Sequence, residues 1–379
     1  MATLNCFFHL MMAFMLHSSL LLTLFLYFSK RSAALDIPKC KRADPKESPQ
    51  STFELFHMHG PCSPTTEMNM PSTKDILEGD QLRVDISCNS SECTQLLPER
   101  TCVNFNNREN TCSYDIQHVD GSHDAKGVLS MDNLKITETD DVFRNWTFFC
   151  ATEIDDNKNF KVVAGVLGLA RNSFVKQIEQ TYGGMFSYCI PSDSSKTGFL
   201  KLGTRDYPKT VNFTPFITNS DHPSFYFINI TSLSVGGAQL SLNPSDLLNP
   251  GTIIDSRVSI TRLPLNVYVM IRNEFRDQMK VLGYFKRDAY DMLDTCYDTR
   301  TYPNITTPNI TFTFNGDVTL NFGASVTIYA INSTLKCFAF AGNSGVGDNL
   351  AIIGNTHQKN LEVVFDVDGG KLGFVPDRC

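Results

Sequence analysis

The sequence has one tryptophan and no Lys/Arg block, and no charged side chain occurs among its first 29 residues. Its 33 Lys and Arg are outnumbered by 40 Asp and Glu, for a formal net charge of −7. This balance argues against a nucleic-acid partner. The 379 residues are 42% hydrophobic and include 28 Phe. They can bury a large core, and the length suggests two domains or lobes.

The uncharged start of the chain has the pattern of a targeting segment. An apolar run over 10–28 is followed by two basic residues and then by Ser32 and Ala34. Small residues at these two positions suit cleavage after Ala34, so 1–34 is predicted to be a signal peptide. The run is also long enough to span a bilayer, so an uncleaved signal anchor is the alternative, and a membrane contact is expected in that case alone.

Cysteines and glycosylation sequons point to the same compartment. Twelve cysteines suit an oxidising environment. Asn-X-Ser/Thr sequons begin at Asn89, Asn145, Asn212, Asn229, Asn304, Asn309 and Asn332. Together with the signal-like start they predict a disulfide-bonded glycoprotein that is secreted or resides in the secretory pathway.

Residues 35–84 are polar, contain prolines and show no clear period, which is typical of a leader or pro-segment. Within them His57, His59 and Cys62 could be taken for a metal site by their spacing. No second ligand pair follows, so neither a metal nor another cofactor is predicted.

Downstream the pattern is mostly β. Apolar residues alternate over 310–314, reach Asn315-Gly316 and alternate again over 318–322, which predicts a hairpin with a type I′ turn. Similar short runs recur over 225–235 and 361–366.

Helices are few. Ser173 is expected to cap a helix over 174–182 that Gly183 closes. After Pro264, apolar residues every four positions predict one amphipathic helix; they are Val267, Ile271 and Phe275. The result is a mainly β, bilobal protein.

The segment Thr252-Ile-Ile-Asp-Ser-Arg257 carries the strongest chemical signal, because an acid leaves a β-branched strand and enters a Ser-containing turn. It resembles the second active-site loop of pepsin-like aspartic proteases, whose pattern is hydrophobic-hydrophobic-Asp-Ser/Thr-Gly. Other motifs follow the family's order over 87–379. These are Gly165–Leu169, Phe186–Ile190, Phe225–Gly237, Ile352–Gly354 and Val363–Pro376. The chain thus resembles the plant, nepenthesin-type aspartic proteases and the related xylanase-inhibitor-like proteins.

The resemblance implies a bilobal acid-protease fold with an incomplete N-terminal lobe over 85–204 and a C-terminal lobe over 205–379. It makes Asp255 a catalytic carboxylate and gives Ser256 a supporting role in the loop. It places Ile352–Gly354 beneath that loop. The family activity is aspartic endopeptidase hydrolysis of a peptide or protein substrate by a monomer in the plant apoplast or cell wall.

The chain departs from the family pattern at positions that matter for catalysis. The first Asp-Thr-Gly-Ser segment, expected before Ser87-Cys88, is missing, through deletion or an omission in the gene model. Arg257 replaces the loop glycine. In the flap, histidine replaces the tyrosine, and the flap residues are His118, Asp120 and Ser122. We therefore expect impaired proteolysis. A non-catalytic inhibitor that docks on a glycosidase is the alternative, and a truncated gene product without a folded role is a third possibility.

The resemblance also implies a disulfide pattern. The expected pairs are Cys88–Cys112, Cys93–Cys102, Cys189–Cys379 and Cys296–Cys337. Cys150 would normally pair into the missing opening, so it is expected to be unpaired, with Cys40 and Cys62 of the pro-segment as its nearest spare candidates.

Overall fold

The fold is given by a computed structural model. It describes residues 7–9, 23–24, 51–56, 84–96, 101–105, 108–117, 123–136, 141–154, 167–171, 174–192, 196–203, 211–220, 222–223, 225–243, 245–248, 250–256, 258–300, 304–343 and 349–379.

The chain divides into two compact units. The first comprises Met1–Phe186 and Asp193–Thr204, and the second comprises Ser187–Ser192 and Arg205–Cys379. Both are built mainly from strands, which confirms the predicted fold class. None of the helices in the described ranges is long and apolar enough to cross a membrane.

The first unit is organised around two long antiparallel strands. Its strands are β1 (Phe7–His9), β2 (Thr23–Leu24), β3 (Ser51–Phe56), β4 (Val84–Asp85), β5 (Thr101–Phe105), β6 (Arg108–Gln117), β7 (His123–Ile136), β8 (Asp141–Ile154) and β9 (Leu167–Gly168), followed by β10 (Met185–Cys189), which continues into the second unit, and β11 (Thr197–Leu202). Its helices are α1 (Ser91–Leu96) and α2 (Phe174–Tyr182). The main sheet has the order β1-β8-β7-β6-β5, and β4 pairs with β7.

Two further pairings complete the first unit: β3 pairs antiparallel with β11 over six residues, and β2 pairs with β9. Helix α2 has the predicted bounds. It ends at Gly183, whose φ is 70° and whose amide donates to the carbonyl of Glu179 at 2.8 Å. Glycine adopts this left-handed conformation without steric cost. The predicted cap Ser173 lies outside the described residues.

The second unit contains short strands. They are β12 (Phe213–Pro215), β13 (Phe227–Ile228), β14 (Ile230–Val235), β15 (Ala238–Gln239), β16 (Thr252–Ile254), β17 (Thr261–Leu263), β18 (Lys286–Arg287), β19 (Cys296–Asp298), β20 (Ile310–Phe314), β21 (Val318–Phe322), β22 (Ile328–Ala330), β23 (Leu335–Phe338), β24 (Phe340–Gly342), β25 (Ala351–Ile353), β26 (Leu361–Asp366) and β27 (Lys371–Pro376). Its helices are α3 (Ser245–Leu248), α4 (Leu265–Val281), α5 (Ala324–Thr327) and a 3-10 turn over Asn355–Gln358.

These strands form several sheets. A five-stranded sheet has the order β13-β16-β25-β17-β24, and its strand β16 leads into Asp255. Two four-stranded sheets have the orders β15-β14-β20-β21 and β18-β19-β23-β22. In another sheet β26 pairs with β27, and β27 pairs with β12.

The predicted hairpin is confirmed, with alternating burial along β20 and β21. The turn assignment needs correction. Phe314 pairs with Val318, which leaves a three-residue loop. Positive φ falls on Gly316 (80°) and Asp317 (57°) rather than on Asn315. The amide of Asn315 instead donates to the carbonyl of Asn229 at 3.3 Å, a tertiary contact that the sequence pattern does not show.

The predicted amphipathic helix is α4. Its buried face comprises Val267, Tyr268, Ile271, Phe275 and Met279. The Phe275 ring stacks on Phe338 at a centroid distance of 4.2 Å. The helix therefore packs against the strands by the face that its four-residue spacing predicts.

Candidate active-site loop

Strand β16 delivers Asp255 to the end of a buried sheet. Thr252, Ile253 and Ile254 are all buried, and β-branched residues suit such a strand. β16 runs parallel to β25, so that Ile254 lies opposite Ile353. The amide of Asp255 donates to the carbonyl of Ile353 at 3.1 Å, and the residue is only 1% exposed. The carboxyl group is thus held where two parallel strands end.

Gly354 lies directly beneath the loop that follows Asp255. A Cβ at this position would come within 2.8–2.9 Å of backbone atoms of Val258, Ser259 and Ile260. Real Cβ atoms do not approach a backbone so closely, so the position requires glycine. This geometry confirms that the hydrophobic-hydrophobic-Gly element packs under the loop.

The residues after Gly354 tie the loop down by hydrogen bonds. The amide of Asn355 donates to the carbonyl of Val258 at 2.7 Å, and its side-chain Nδ2 donates to the carbonyl of Ser256 at 3.0 Å. The amide of Thr356 donates to the carbonyl of Ser259 at 3.2 Å. The loop geometry is therefore fixed by a segment about 100 residues away in sequence.

Thr261 and His357 form a buried polar pair behind the loop. Thr261 Oγ1 accepts from the amide of Gly354 at 3.0 Å and lies 2.7 Å from His357 Nδ1. The imidazole packs against the rings of Phe322 and Phe340 at centroid distances of 4.8 and 4.2 Å. Burial lowers the pKa of His357 from 6.5 to about 3, since the charged form loses its hydration. The histidine is therefore neutral near pH 7.

Tyr188 and Gln358 support Asp255 from another direction. The fully buried Tyr188 hydroxyl donates to Gln358 Oε1 at 2.6 Å, and Gln358 Nε2 donates to the carbonyl of Ile353 at 2.8 Å. Burial raises the pKa of Tyr188 well above 10, and the negative charge of Asp255 adds to the shift. Tyr188 therefore stays a neutral donor.

A second stretch, Met292-Leu-Asp-Thr295, has a partly similar sequence pattern, but its acid has a structural role. Asp294 accepts hydrogen bonds from Tyr268 at 2.5 Å, from Arg272 at 2.7 Å and from Arg276 at 3.0 Å. Burial by itself would raise the pKa of Asp294, but these hydrogen bonds, together with one from Thr295, outweigh it and lower the pKa. The carboxylate is thereby committed to side chains of helix α4.

The other predicted site residues cannot be placed in this geometry. Arg257 and the flap residues His118, Asp120 and Ser122 lie outside the described residues, as do His57, His59 and Cys62. Their proposed roles stay predictions. No role was predicted for Thr261, Tyr188, His357 or Gln358. The last three of these nevertheless fall in or next to recognised motifs. A run of polar residues directly after Ile352–Gly354 was the signal that could have identified two of them.

The disulfides confirm half of the expected pairing. Cys189–Cys379 and Cys296–Cys337 are bonded as predicted. In the first unit the prediction was wrong, because the bonded pairs are Cys88–Cys102 and Cys93–Cys112. Helix α1 buries Cys93 beside the fully buried Cys112, while Cys102 lies on an exposed strand. Packing selects among pairings that sequence leaves open.

The expectation that Cys150 is unpaired was also wrong. Cys150 is fully buried on β8 and is disulfide-bonded, with a partner outside the described residues. The prediction left Cys150 without its usual partner and named Cys40 and Cys62 as the nearest spare candidates. Other cysteines of the chain can supply a partner, so Cys150 need not carry a free thiol.

Comparisons with known proteins identify the family of the chain. The family model described as "Xylanase inhibitor N-terminal" matches residues 60–204, and that described as "Xylanase inhibitor C-terminal" matches residues 225–376. An Arabidopsis thaliana aspartyl protease family protein is 37% identical over 298 residues, which cover 78% of this chain and 61% of the relative. Arabidopsis aspartyl protease AED1 is 36% identical over 301 residues, covering 78% and 60% respectively.

The chain belongs to the plant pepsin-like aspartic protease family. Among solved structures, edgp has the same fold, with a TM-score of 0.65 at 20% identity over 78% of this chain and 82% of that one. The chain spans about three fifths of the length of the curated relatives it matches.

Proposed function

We propose that this family member is a catalytically impaired aspartic endopeptidase. One observation carries the proposal: among the described residues, Asp255 alone combines the family's active-site sequence pattern with the loop geometry described above. The similar stretch at Asp294 is followed by cysteine, and its carboxylate is bound to helix α4. The sequence therefore supplies one acid for a reaction that uses two.

Peptide hydrolysis by this architecture depends on two neighbouring carboxyl groups that share one proton. The ionised group draws a proton from the attacking water, while the protonated group polarises the scissile carbonyl. Like charges at short distance split the two apparent pKa values and so maintain both states. A single carboxyl group cannot be ionised and protonated at the same moment, so Asp255 by itself does not perform both tasks.

The sequence around the loop adds to the impairment. Arg257 stands two residues after Asp255, where the family has glycine. A guanidinium group near Asp255 would hold the carboxylate ionised, since a cation favours the charged form. If the side chain points to solvent instead, its Cβ strains a turn that glycine would accept. Both arrangements lower activity. In the flap, His118 replaces a tyrosine hydroxyl with an imidazole whose charge varies with pH.

An acid-protease assay tests the proposal. The purified full chain is incubated with haemoglobin at acid pH, with and without pepstatin, beside the variants Asp255→Asn and Arg257→Gly. We expect no pepstatin-sensitive turnover in any of the three, because restoring the glycine does not restore a second acid. Turnover that pepstatin blocks and Asp255→Asn abolishes would overturn the proposal. Turnover by Arg257→Gly alone would show that the arginine, rather than a missing acid, causes the loss.

A non-catalytic binding function is the second candidate. Both matching family models are described as xylanase inhibitor domains, and they cover most of the chain. The partner in that case is a glycosidase, and the protein acts by docking on it. Saturable inhibition of a fungal xylanase by the purified chain supports this function, and unchanged xylanase activity at high protein excess counts against it.

The proposed location is the plant secretory pathway and cell exterior. The signal-like segment 1–34 and the sequons support it, and the disulfides suit an oxidising compartment. We expect a monomer that acts on, or binds, a protein. An epitope tag at the C-terminus, followed by fractionation of apoplastic fluid, tests this location, and retention of the full-length chain in membranes would favour the signal anchor.

A further inference from the structure

The fold presents the seven sequons differently. Six of their asparagines are exposed, namely Asn89, Asn145, Asn212, Asn304, Asn309 and Asn332, whereas Asn229 is half-buried. A glycan is bulky and hydrophilic, so the amide that carries it must face solvent in the folded protein. Exposure and side-chain contacts together therefore indicate which sequons can carry a glycan in the folded protein.

Asn229 lies between β13 and β14, with the oxygen of its carboxamide turned toward the protein. Its Oδ1 is buried and accepts no hydrogen bond within the described part of the chain. The same oxygen lies 3.6 Å from the position that a Cβ on Gly251 would occupy. The sequon hydroxyl of Thr231 is also engaged, since it donates to the carbonyl of Thr313 at 3.1 Å on β20. A sugar on this carboxamide would begin next to packed backbone.

Asn332 has the opposite arrangement. It lies in the exposed turn between β22 and β23, and Ser333 and Thr334 are exposed with it. Its Oδ1 accepts from the amide and hydroxyl of Thr334 at 2.9 and 3.0 Å and from the amide of Leu335 at 2.9 Å. Three donors on one side of the carboxamide direct Nδ2 to the other side, toward solvent.

We propose that Asn332 carries an N-linked glycan and that Asn229 does not. The inference rests on the proposed passage through the secretory pathway, which supplies a lipid-linked oligosaccharyl diphosphate and its transferase. Nδ2 of Asn332 attacks the anomeric carbon of the first sugar. A C–N bond forms, the C–O bond to the diphosphate breaks, Nδ2 loses one proton, and the lipid diphosphate leaves. The glycan then projects from the turn without disturbing either strand.

Peptide mapping tests the assignment. The full chain is expressed in plant cells in two versions, with its own N-terminus and behind an added cleavable secretion signal. Folded protein is treated with a peptide N-glycosidase in ¹⁸O-water, which converts each glycosylated Asn to ¹⁸O-labelled Asp. We expect label at Asn332 and none at Asn229. On gels, Asn332→Gln and Thr334→Ala should each lose one glycan, while Ser333→Ala and Asn229→Gln keep the parent mobility.

The outcomes separate this inference from the proposed location. Glycans at other sequons with none at Asn332 would overturn the inference and leave the proposed secretion intact. Label at Asn229 would overturn the contrast between the two sites and would also leave the proposed secretion intact. If Asn332 is labelled only in the version with the added secretion signal, the result supports the inference and overturns the proposed location. No occupied sequon in either version overturns the inference.

Discussion

The backbone amide of Asp255 and the side-chain amide of Gln358 donate to the same acceptor, the carbonyl of Ile353. The two distances are 3.1 and 2.8 Å. Through Gln358 the hydroxyl of Tyr188 is linked to the strand end that holds Asp255. The loop is therefore positioned by a connected set of buried hydrogen bonds, whether or not the protein cleaves peptides.

Tyr188→Phe should destabilise the second unit by about 1–3 kcal/mol, because it removes the donor to the buried Oε1 of Gln358. The measurement is the free energy of unfolding in urea, followed by circular dichroism. Tyr290→Phe is the matched control, since Tyr290 is 50% exposed, and it should change stability little. Equal losses of unfolding free energy in the two variants would show that the buried hydrogen bond stabilises the protein no more than an exposed hydroxyl does.

Gly354→Ala should cost more than about 1–3 kcal/mol, the usual range for overpacking, because the added Cβ meets backbone rather than flexible side chains. Gly323→Ala is the control, since its Cβ would meet no atom closer than 3.8 Å. Thermal unfolding of the two variants gives the comparison. A Gly354→Ala protein as stable as the parent would mean that the loop over Val258–Ile260 moves without cost.

Stability should fall as the pH falls because of His357. Its pKa is about 3 in the folded protein against 6.5 unfolded, so between these values the unfolded state binds more protons and acid favours unfolding. The stabilising contribution is complete above pH 6.5 and is lost progressively as the pH falls toward 3. Between pH 7 and 4 the loss from this one group is roughly 3 kcal/mol.

The variant His357→Gln isolates that contribution. It should show a smaller loss of unfolding free energy between pH 7 and 4 than the parent, measured by urea titration at both values. Parallel curves for parent and His357→Gln would contradict a buried neutral imidazole.

Non-reducing peptide mapping should recover Cys88 linked to Cys102 and Cys93 linked to Cys112. Cys150 should be found in a disulfide, and the map should identify its partner. Recovery of a Cys88–Cys112 peptide would restore the pairing expected from family resemblance. Mapping after partial reduction distinguishes the two patterns even though the four cysteines lie close together.

Local sequence patterns predicted those elements that depend on local chemistry. Alternation over β20 and β21 gave the hairpin, and the four-residue spacing in α4 gave its buried face, because side-chain period follows directly from backbone geometry. The turn residues were misplaced by one position. Which residues take positive φ depends on the register of Phe314 with Val318 and on the contact from Asn315 to Asn229.

The site was predicted in part. Asp255, Ser256 and Gly354 follow from motif resemblance, and the structure brings them together. The supporting set of Tyr188, Thr261, His357 and Gln358 did not follow from the sequence, because each is an ordinary residue whose role depends on a partner far away in sequence.

The hairpin of β20 and β21, the fold family and the identity of the loop acid were determined by sequence, since hydrophobic period and short motifs encode them locally. Disulfide partners, the neutral state of His357 and the orientation of each sequon were decided only by tertiary structure. Those properties depend on which groups meet after folding and on how much water is excluded around them, and neither is written in neighbouring residues.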